Sequence, residues 1–194
     1  MPRRDHLRRL LDGLQPADPL EFEHKQRILQ LLSGTEQPFS RAQYAPGHVT
    51  ASAFVVDPSG RALLLILHAK LHLWLQPGGH VEDDDSDVLA AARREVREEV
   101  GIHELTPVGD GLLDVDVHEI PARRDQPAHA HFDVRFLFTT AATSFQAGSD
   151  AQAARWIEID QLLRAAAAPT ASELPSDESV LRAVRKLREH PAWR

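Results

Sequence analysis

The sequence predicts an α+β sandwich built on a mixed sheet, with additional helices at both ends of the chain. Strand-like apolar runs are mixed with a few helical segments and lack the regular βαβ alternation of a doubly wound sheet. A length of 194 residues with 42% hydrophobic residues suffices for one well-packed domain. We therefore expect an N-terminal helical extension (1–45), a central domain (46–168) and a C-terminal helix packed on that domain (169–194).

The N-terminal extension is predicted to contain two helices. The first covers Asp5–Leu14, and the second begins after Asp18, whose side chain can cap a helix that has Pro19 in its first turn. Its apolar side consists of Leu20, Ile28, Leu29, Leu31 and Leu32. Gly34–Gly47 is rich in Gly, Pro and polar residues, as linkers are. Three roles of these helices stay open: forming a homodimer, covering an active site or capping the fold.

The remaining elements follow from apolar periodicity and turn residues. Val49–Val56 and Arg61–Leu67 are predicted to form a hairpin across an Asp-Pro-Ser-Gly turn. Leu71–Leu75 is a further short strand, and a loop follows at Gln76–Gly79. Strands are expected at Leu105–His118, Ala130–Ala141 and Arg155–Ile159. Helices are expected at Asp85–Val100, Asp160–Ala167 and Ser176–Glu189.

Composition excludes several classes of function. The net charge of −7 argues against a broad nucleic-acid surface, which requires clustered Lys and Arg. The absence of cysteine excludes disulfides, thiolate zinc sites and cysteine nucleophiles, and it fits a reducing compartment. The longest apolar run, Ala62–Leu67, is too short to span a bilayer. We expect a cytoplasmic protein that binds neither nucleic acid nor a membrane.

The helix before Gly101 carries an acidic face. Glu95, Glu98 and Glu99 are spaced three and four residues apart, so they share one side of the helix. A separate apolar stripe is formed by Leu89, Ala92, Val96 and Val100. Gly101 stands where a left-handed C-cap ends a helix. Like charges so close repel one another, and divalent cations that bind phosphate and activate water relieve that repulsion. The alternative is a solvated surface helix.

The segment Gly79–Ile102 resembles the Nudix box. Its helical half matches at Arg94, Glu95, Val96, Glu98, Glu99, Gly101 and Ile102. Its loop half is one residue longer than the family's spacing, and Asp85 stands where the family has Glu, so the acidic run Glu82–Asp85 absorbs the insertion. The order of strand, loop and helix extends the resemblance over roughly residues 46–165.

The resemblance implies a Nudix-type α/β/α sandwich and a hydrolase that uses Mg²⁺ or Mn²⁺. It implies that Glu98 and Glu99 bind the metal and that Glu95 is a further ligand or the base for the attacking water. Arg94 would orient the glutamates through charge-assisted hydrogen bonds. The carbonyl of Gly78 would complete the metal's shell. Arg94, Glu95 and Glu98 are thus the predicted catalytic residues.

The implied substrate is a small nucleotide-like molecule. Water would attack phosphorus and cleave the diphosphate linkage of a nucleoside triphosphate, a nucleotide sugar or a dinucleotide. The alternative is a Nudix-fold nucleotide sensor that binds without catalysis, and the intact glutamates argue against it. A third hypothesis, isomerisation of an isoprenoid diphosphate, typically relies on a cysteine that this chain lacks.

A second set of polar residues lies on two predicted strands. Alternation places His129, His131, Asp133 and Arg135 on one face, and Asp114, Asp116 and His118 could form a matching row on a paired strand. One hypothesis is a substrate pocket in which Arg135 and the histidines, including His118, meet phosphate or sugar. The other is a solvent-facing sheet surface. A His-based zinc site and a metal-binding role for Asp150 are further hypotheses.

Overall fold

The computed structural model describes residues 2–142, 144–145, 151–167 and 174–193. The helices in these ranges are α1 (Arg3–Gly13), α2 (Pro19–Gly34), α3 (Val88–Val100), α4 (Ile159–Ala167) and α5 (Glu178–Arg188). The strands are β1 (Gly47–Val56), β2 (Ala62–His68), β3 (Trp74–Leu75), β4 (Gly78–His80), β5 (Thr106–Pro107), β6 (Asp114–Ile120), β7 (His129–Thr139) and β8 (Ala151–Glu158). None of these helices combines the length and the apolar character that crossing a membrane requires.

The sheet is mixed, as predicted. Its neighbour order is β3-β2-β1-β7-β5, with β4 also paired to β1, β6 to β7 and β8 to β2. The backbone N–H of Ala130 donates to Pro46 O, and that of Thr140 donates to Val56 O. Partner numbers thus rise together along β1 and β7, so these two strands run parallel, whereas β1 pairs antiparallel with β2 and β4. The α+β class expected from the sequence is therefore confirmed.

The described residues form two compact units. Unit 1 comprises Met1–Ser52, Gly78–Ala92 and Gly111–Phe136. It contains α1, α2, the pairing of β1 with β4, and the antiparallel pairing of β6 with β7. Helix α2 packs on β6, where the backbone N–H of Val117 donates to His24 Nδ1 over 3.2 Å. The helices predicted as a separate extension thus share a unit with strands of the central domain.

Unit 2 comprises Ala53–Pro77, Arg93–Asp110 and Leu137–Arg194. Its centre is β2, which pairs antiparallel with β1, β3 and β8. The predicted turn between β1 and β2 is held by Asp57, whose carboxylate accepts hydrogen bonds from Ser59 Oγ and from the backbone N–H groups of Arg61 and Ala62. Helices α4 and α5 pack on each other in this unit.

The predicted end residues Asp18 and Gly101 are confirmed, whereas the start of α3 differs from the prediction. Asp18 accepts a hydrogen bond from the backbone N–H of Glu21 at 2.8 Å, with proline in the first turn of α2. Asp87 accepts in the same way from Ala90 N at 2.9 Å, so α3 begins three residues after the predicted start at Asp85. Gly101 has φ +69°, which confirms the left-handed end of α3.

Several boundaries differ from the sequence prediction. The strand predicted over Leu105–His118 is two strands, β5 and β6, because Gly109 has φ +80° and interrupts the extended backbone. The predicted loop at Gln76–Gly79 contains the start of β4, which pairs with β1. Only the last two residues of the predicted strand Leu71–Leu75 are extended. Leu20, assigned to an apolar side, is 50% exposed in the first turn of α2. The predicted boundary between residues 168 and 169 lies outside the described residues.

Candidate active site

The C-terminal half of α3 carries the predicted catalytic residues, which we call the glutamate cluster: Arg94, Glu95, Glu98 and Glu99. Nη1 of Arg94 donates to Glu95 Oε1 at 2.9 Å and to Glu98 Oε2 at 3.0 Å. The side chain of Glu95 is 13% exposed, whereas that of Glu98 is 51% exposed. One arginine therefore holds two carboxylates that differ in their access to solvent.

The rotation of α3 follows from its apolar residues. Ala92, Val96 and Val100 are fully buried, so the opposite positions of the helix turn outward. The glutamate cluster contains three carboxylates and one guanidinium, a formal excess of two negative charges, and Arg97 Nη2 lies 3.9 Å from Glu98 Oε1. Carboxylate oxygens are the ligands that Mg²⁺ and Mn²⁺ prefer, and one divalent cation offsets this charge. The residues present therefore fit the implied metal.

The loop half of the motif belongs to unit 1. Gly78 opens β4 beside Ser52, and a Cβ built on it would lie 2.3 Å from Ser52 Cβ, so the strand pairing itself requires a glycine there. Asp85 is buried, and its Oδ2 accepts a hydrogen bond from Glu82 N at 2.8 Å. A hydrogen bond between the first and last residues of the acidic run Glu82–Asp85 thus holds this run in a turn. The metal-binding role of the Gly78 carbonyl stays a prediction.

The predicted polar rows on β6 and β7 do face each other. The register pairs Asp114 with Arg135, Asp116 with Asp133, and His118 with His131. Arg135 lies 3.1 Å from Asp114 through Nη1, 3.5 Å from Asp116 through Nη2, and 3.0 Å from Asp133 through Nε. None of these four side chains is more than 6% exposed. We call this set the aspartate–arginine network, and its burial contradicts the solvent-facing alternative.

Two hydroxyl groups on β1 complete the network. Thr50 Oγ1 donates to Asp133 Oδ1 at 3.1 Å, and Ser52 Oγ donates to Asp133 Oδ2 at 2.7 Å. Burial opposes the charge on Arg135, but the facing carboxylates outweigh it and raise the pKa of its guanidinium. The guanidinium is already bound on three sides, and this favours a structural role for Arg135. The substrate roles of Asp133 and Arg135 stay predictions.

Histidines extend the network along the same face. His118 Nδ1 lies 3.1 Å from Asp116 Oδ2, and His24 Nδ1 lies 3.3 Å from Asp116 Oδ1. Burial opposes ionisation of Asp116, yet the hydrogen bond from His118, the proximity of His24 and the charge of Arg135 lower its pKa overall. Burial likewise opposes a charge on His118, but the hydrogen bond to Asp116 and the charges of Asp133 and Asp116 raise its pKa.

Five imidazole rings lie close together in unit 1, on strands β1, β4, β6 and β7. They belong to His48, His80, His118, His129 and His131. The centroids of the His48 and His131 rings are 4.9 Å apart, and those of His80 and His131 are 5.2 Å apart. Burial, followed by the neighbouring imidazoles, lowers the pKa of His131 to about 2. Burial also lowers the pKa of His48. The substrate-binding roles predicted for His118, His129 and His131 remain predictions.

Sequence reasoning missed the contribution of β1. His48, Thr50 and Ser52 alternate along an otherwise apolar strand, and each is buried. That alternation, polar residues at every second position of a buried run, could have predicted one polar face. His80 gave no such indication, because it directly follows the predicted loop Gln76–Gly79 and belongs to no predicted strand. Asp150, a candidate metal ligand, lies outside the described residues.

A family model described as NUDIX domain matches residues 46–177, which is more than half of the chain. The chain belongs to the Nudix family. This confirms the resemblance predicted from the segment Gly79–Ile102, and it makes the protein an enzyme of the Nudix hydrolase class, which acts on acid anhydrides. No curated protein compared with the chain matches its sequence.

Solved structures share the fold of this Nudix protein. A NUDIX-family hydrolase from Clostridium perfringens has a TM-score of 0.52 at 23% identity, over 73% of this chain and 96% of that one. An Ap4A hydrolase from C. elegans in a binary complex has a TM-score of 0.51 at 20% identity, over 72% and 94%. The NUDIX domain of Shewanella oneidensis NrtR, complexed with ADP ribose, has a TM-score of 0.53 at 14% identity, over 83% and 96%. At these identities the likeness concerns the fold.

Proposed function

We propose that this Nudix protein hydrolyses the diphosphate linkage of a nucleoside diphosphate derivative, using Mg²⁺ or Mn²⁺ at the glutamate cluster. The observation that carries the proposal is the double hydrogen bond from Arg94 to Glu95 and Glu98. It fixes two carboxylates of a set whose net charge matches a divalent cation. The candidate substrates are nucleoside triphosphates, nucleotide sugars and dinucleotides. Two structural neighbours are named with molecules of this kind: one is an Ap4A hydrolase, and the other is a complex with ADP ribose.

Each residue of the cluster has a distinct part in the proposal. A bound divalent metal would polarise the phosphate and lower the pKa of an attacking water. Glu98, the most exposed carboxylate of the cluster, would reach the metal together with Glu99. Glu95 is largely shielded from solvent, which suits either a further ligand or a base that takes the proton of the attacking water. Arg94 would hold Glu95 and Glu98 in place before the substrate arrives.

A substrate panel tests the proposal. Nucleoside triphosphates, nucleotide sugars and dinucleoside polyphosphates are each incubated with the full chain and Mg²⁺ or Mn²⁺, and the release of monophosphate is measured. We expect turnover of at least one class. An intact protein that binds one nucleotide tightly and hydrolyses none would instead be a nucleotide-binding protein, and the proposal would be wrong.

Glu98→Gln provides the matched variant. Loss of one metal ligand removes several kcal/mol of transition-state stabilisation, so we expect turnover to fall about 100-fold or more while the protein stays folded. Glu104→Gln, which changes an exposed glutamate in the same unit, should retain wild-type turnover. Wild-type turnover by Glu98→Gln at saturating Mg²⁺ would overturn the assignment of Glu98 to the metal.

A further inference from the structure

Three histidines of unit 1 converge from three different strands. His48 lies on β1, His80 on β4 and His131 on β7, and one ring nitrogen of each lies within 4.8 Å of the others. His48 is buried, and His80 and His131 are half-buried. We call this set the histidine trio. It contains no carboxylate and is a different set of side chains from the glutamate cluster.

The buried member of the trio has a defined orientation. Its Nδ1 lies 3.0 Å from the carbonyl oxygen of Gln43, and a carbonyl can only accept, so Nδ1 carries the proton. Nε2 of His48 therefore presents a lone pair. In the described part of the chain this atom is buried and has no hydrogen-bond partner. A buried acceptor without a partner destabilises the folded chain, so a ligand that binds the lone pair would remove this penalty.

We propose that His48, His80 and His131 together bind one divalent transition metal of the zinc type. Metal-binding histidines commonly donate their other ring N–H to a backbone carbonyl, as His48 does to Gln43. Imidazole nitrogens suit zinc, copper, iron or nickel, whereas Mg²⁺ prefers oxygen ligands. This site would therefore select a different metal from the one proposed for the glutamate cluster.

The geometry requires a small contraction. Tetrahedral zinc with nitrogens about 2.1 Å away needs those nitrogens about 3.4 Å from one another. The ring nitrogens of the trio lie within 4.8 Å, so rotation of the two half-buried side chains, His80 and His131, closes the difference. Three protein ligands leave a fourth position for water or another small ligand. The bound metal would join β1, β4 and β7.

Direct titration tests the metal site. The full chain without a polyhistidine tag is freed of metal and titrated with Zn²⁺ against a chromophoric chelator, in excess Mg²⁺. We expect one Zn²⁺ per chain with a Kd below about 1 µM. Co²⁺ in place of Zn²⁺ should give the visible absorption of a nitrogen-bound tetrahedral ion. Failure of the wild-type chain to bind stoichiometric Zn²⁺ would overturn the proposal whatever the variants do.

Variants locate the bound ion. His80→Ala and His131→Ala should each weaken Zn²⁺ binding at least about 100-fold, because loss of a ligand costs no less than loss of an outer-shell partner. His103→Ala, an exposed histidine, and Glu98→Gln should bind Zn²⁺ as the wild type does. Circular dichroism verifies folding of each variant. Unchanged binding by His80→Ala, or loss of binding in Glu98→Gln, would place the ion elsewhere and contradict the site.

Zn²⁺ should also stabilise the fold. A ligand that binds only the folded chain raises the Tm, so excess Zn²⁺ should raise it in the wild type and not in His80→Ala. Mg²⁺ at the same concentration should not give a rise in Tm that depends on His80. An equal rise in both proteins would show that Zn²⁺ acts away from the histidine trio, and it would contradict the proposal.

Discussion

Two arginines of this protein hold carboxylates with the same ratio of charges and opposite surroundings. Arg94 bonds two glutamates of a set of three on α3, and Arg135 contacts three aspartates on β6 and β7. Each set leaves two net negative charges if only its arginine and carboxylates are counted. The glutamates of the first set stand on long side chains, and Glu98 is half-exposed. The aspartates of the second are short and buried, with Thr50 and Ser52 donating to Asp133.

The two sets differ in their partners and in how far solvent reaches their carboxylates. In the aspartate–arginine network, hydroxyls, histidines and a guanidinium bind the carboxylates. These carboxylates are therefore already occupied by partners within the protein. In the glutamate cluster, Arg94 Nη1 donates to Glu95 and Glu98, Arg97 Nη2 lies 3.9 Å from Glu98 Oε1, and solvent reaches Glu98. The same charge ratio therefore favours a structural role in the buried network and metal chemistry in the cluster where Glu98 is exposed.

The largest effect is expected from Arg135→Met. It would leave three buried carboxylates without their cation, and breaking a buried ion pair from one side costs about 3–5 kcal/mol. Urea unfolding at neutral pH measures the loss. Arg27→Met is the control, because Arg27 pairs with exposed Glu119 at 3.4 Å in the same unit and should cost less than about 1 kcal/mol. Equal losses of stability in the two variants would show that the buried Arg135 contributes no more to stability than the more exposed Arg27.

Asp116→Asn tests whether the charge of the buried network carries stability. The folded-state pKa of Asp116 is lowered, so its carboxylate adds stability above the ordinary value of 3.8, and that stability is lost as the pH falls through the folded pKa. We expect the variant to be about 1.5–3 kcal/mol less stable than the wild type at neutral pH. The gap should narrow below about pH 4. Urea unfolding at several pH values measures it, and a gap that stays constant would contradict the assigned role.

The smallest effect on stability is expected from Arg94→Met. Glu98 is half-exposed but Glu95 is largely shielded, so the free energy of unfolding should fall by about 1–2 kcal/mol, less than for Arg135→Met. Turnover should fall roughly 10- to 100-fold, mainly in kcat, since misplaced catalytic groups cost rate. Arg94→Lys should recover part of it, and Arg93→Met, an exposed neighbour, should behave as the wild type does. A variant with lost stability and normal kcat would make Arg94 a structural residue like Arg135.

Local patterns predicted the glutamate cluster well. Helical spacing is decided within a few residues, so the shared face of Glu95 and Glu98 and the glycine end of α3 could be predicted without knowledge of the fold. The NUDIX match and the mixed sheet confirm the family and fold predicted from that segment.

The surroundings of β6 and β7 could not be predicted in the same way. Alternating polar residues on antiparallel strands usually face water, but here α2 packs on β6 and His24 contacts Asp116. The alternation predicted two polar rows that could match, but it predicted neither the register that pairs Asp114 with Arg135 nor the burial of both rows. Likewise, His48 and His80 lie close together because β4 pairs with β1. This pairing depends on the tertiary fold and not on the local sequence.

Both compact units are assembled from three separated stretches of chain, and β1, α3 and β7 each supply residues to both. Unit 1 therefore lacks its last stretch until residue 136 has been synthesised, and unit 2 awaits the C-terminal residues. Pairing of such distant segments slows folding, because loop closure must precede the contacts that reward it. Neither unit can therefore be obtained by cutting the gene at a single point.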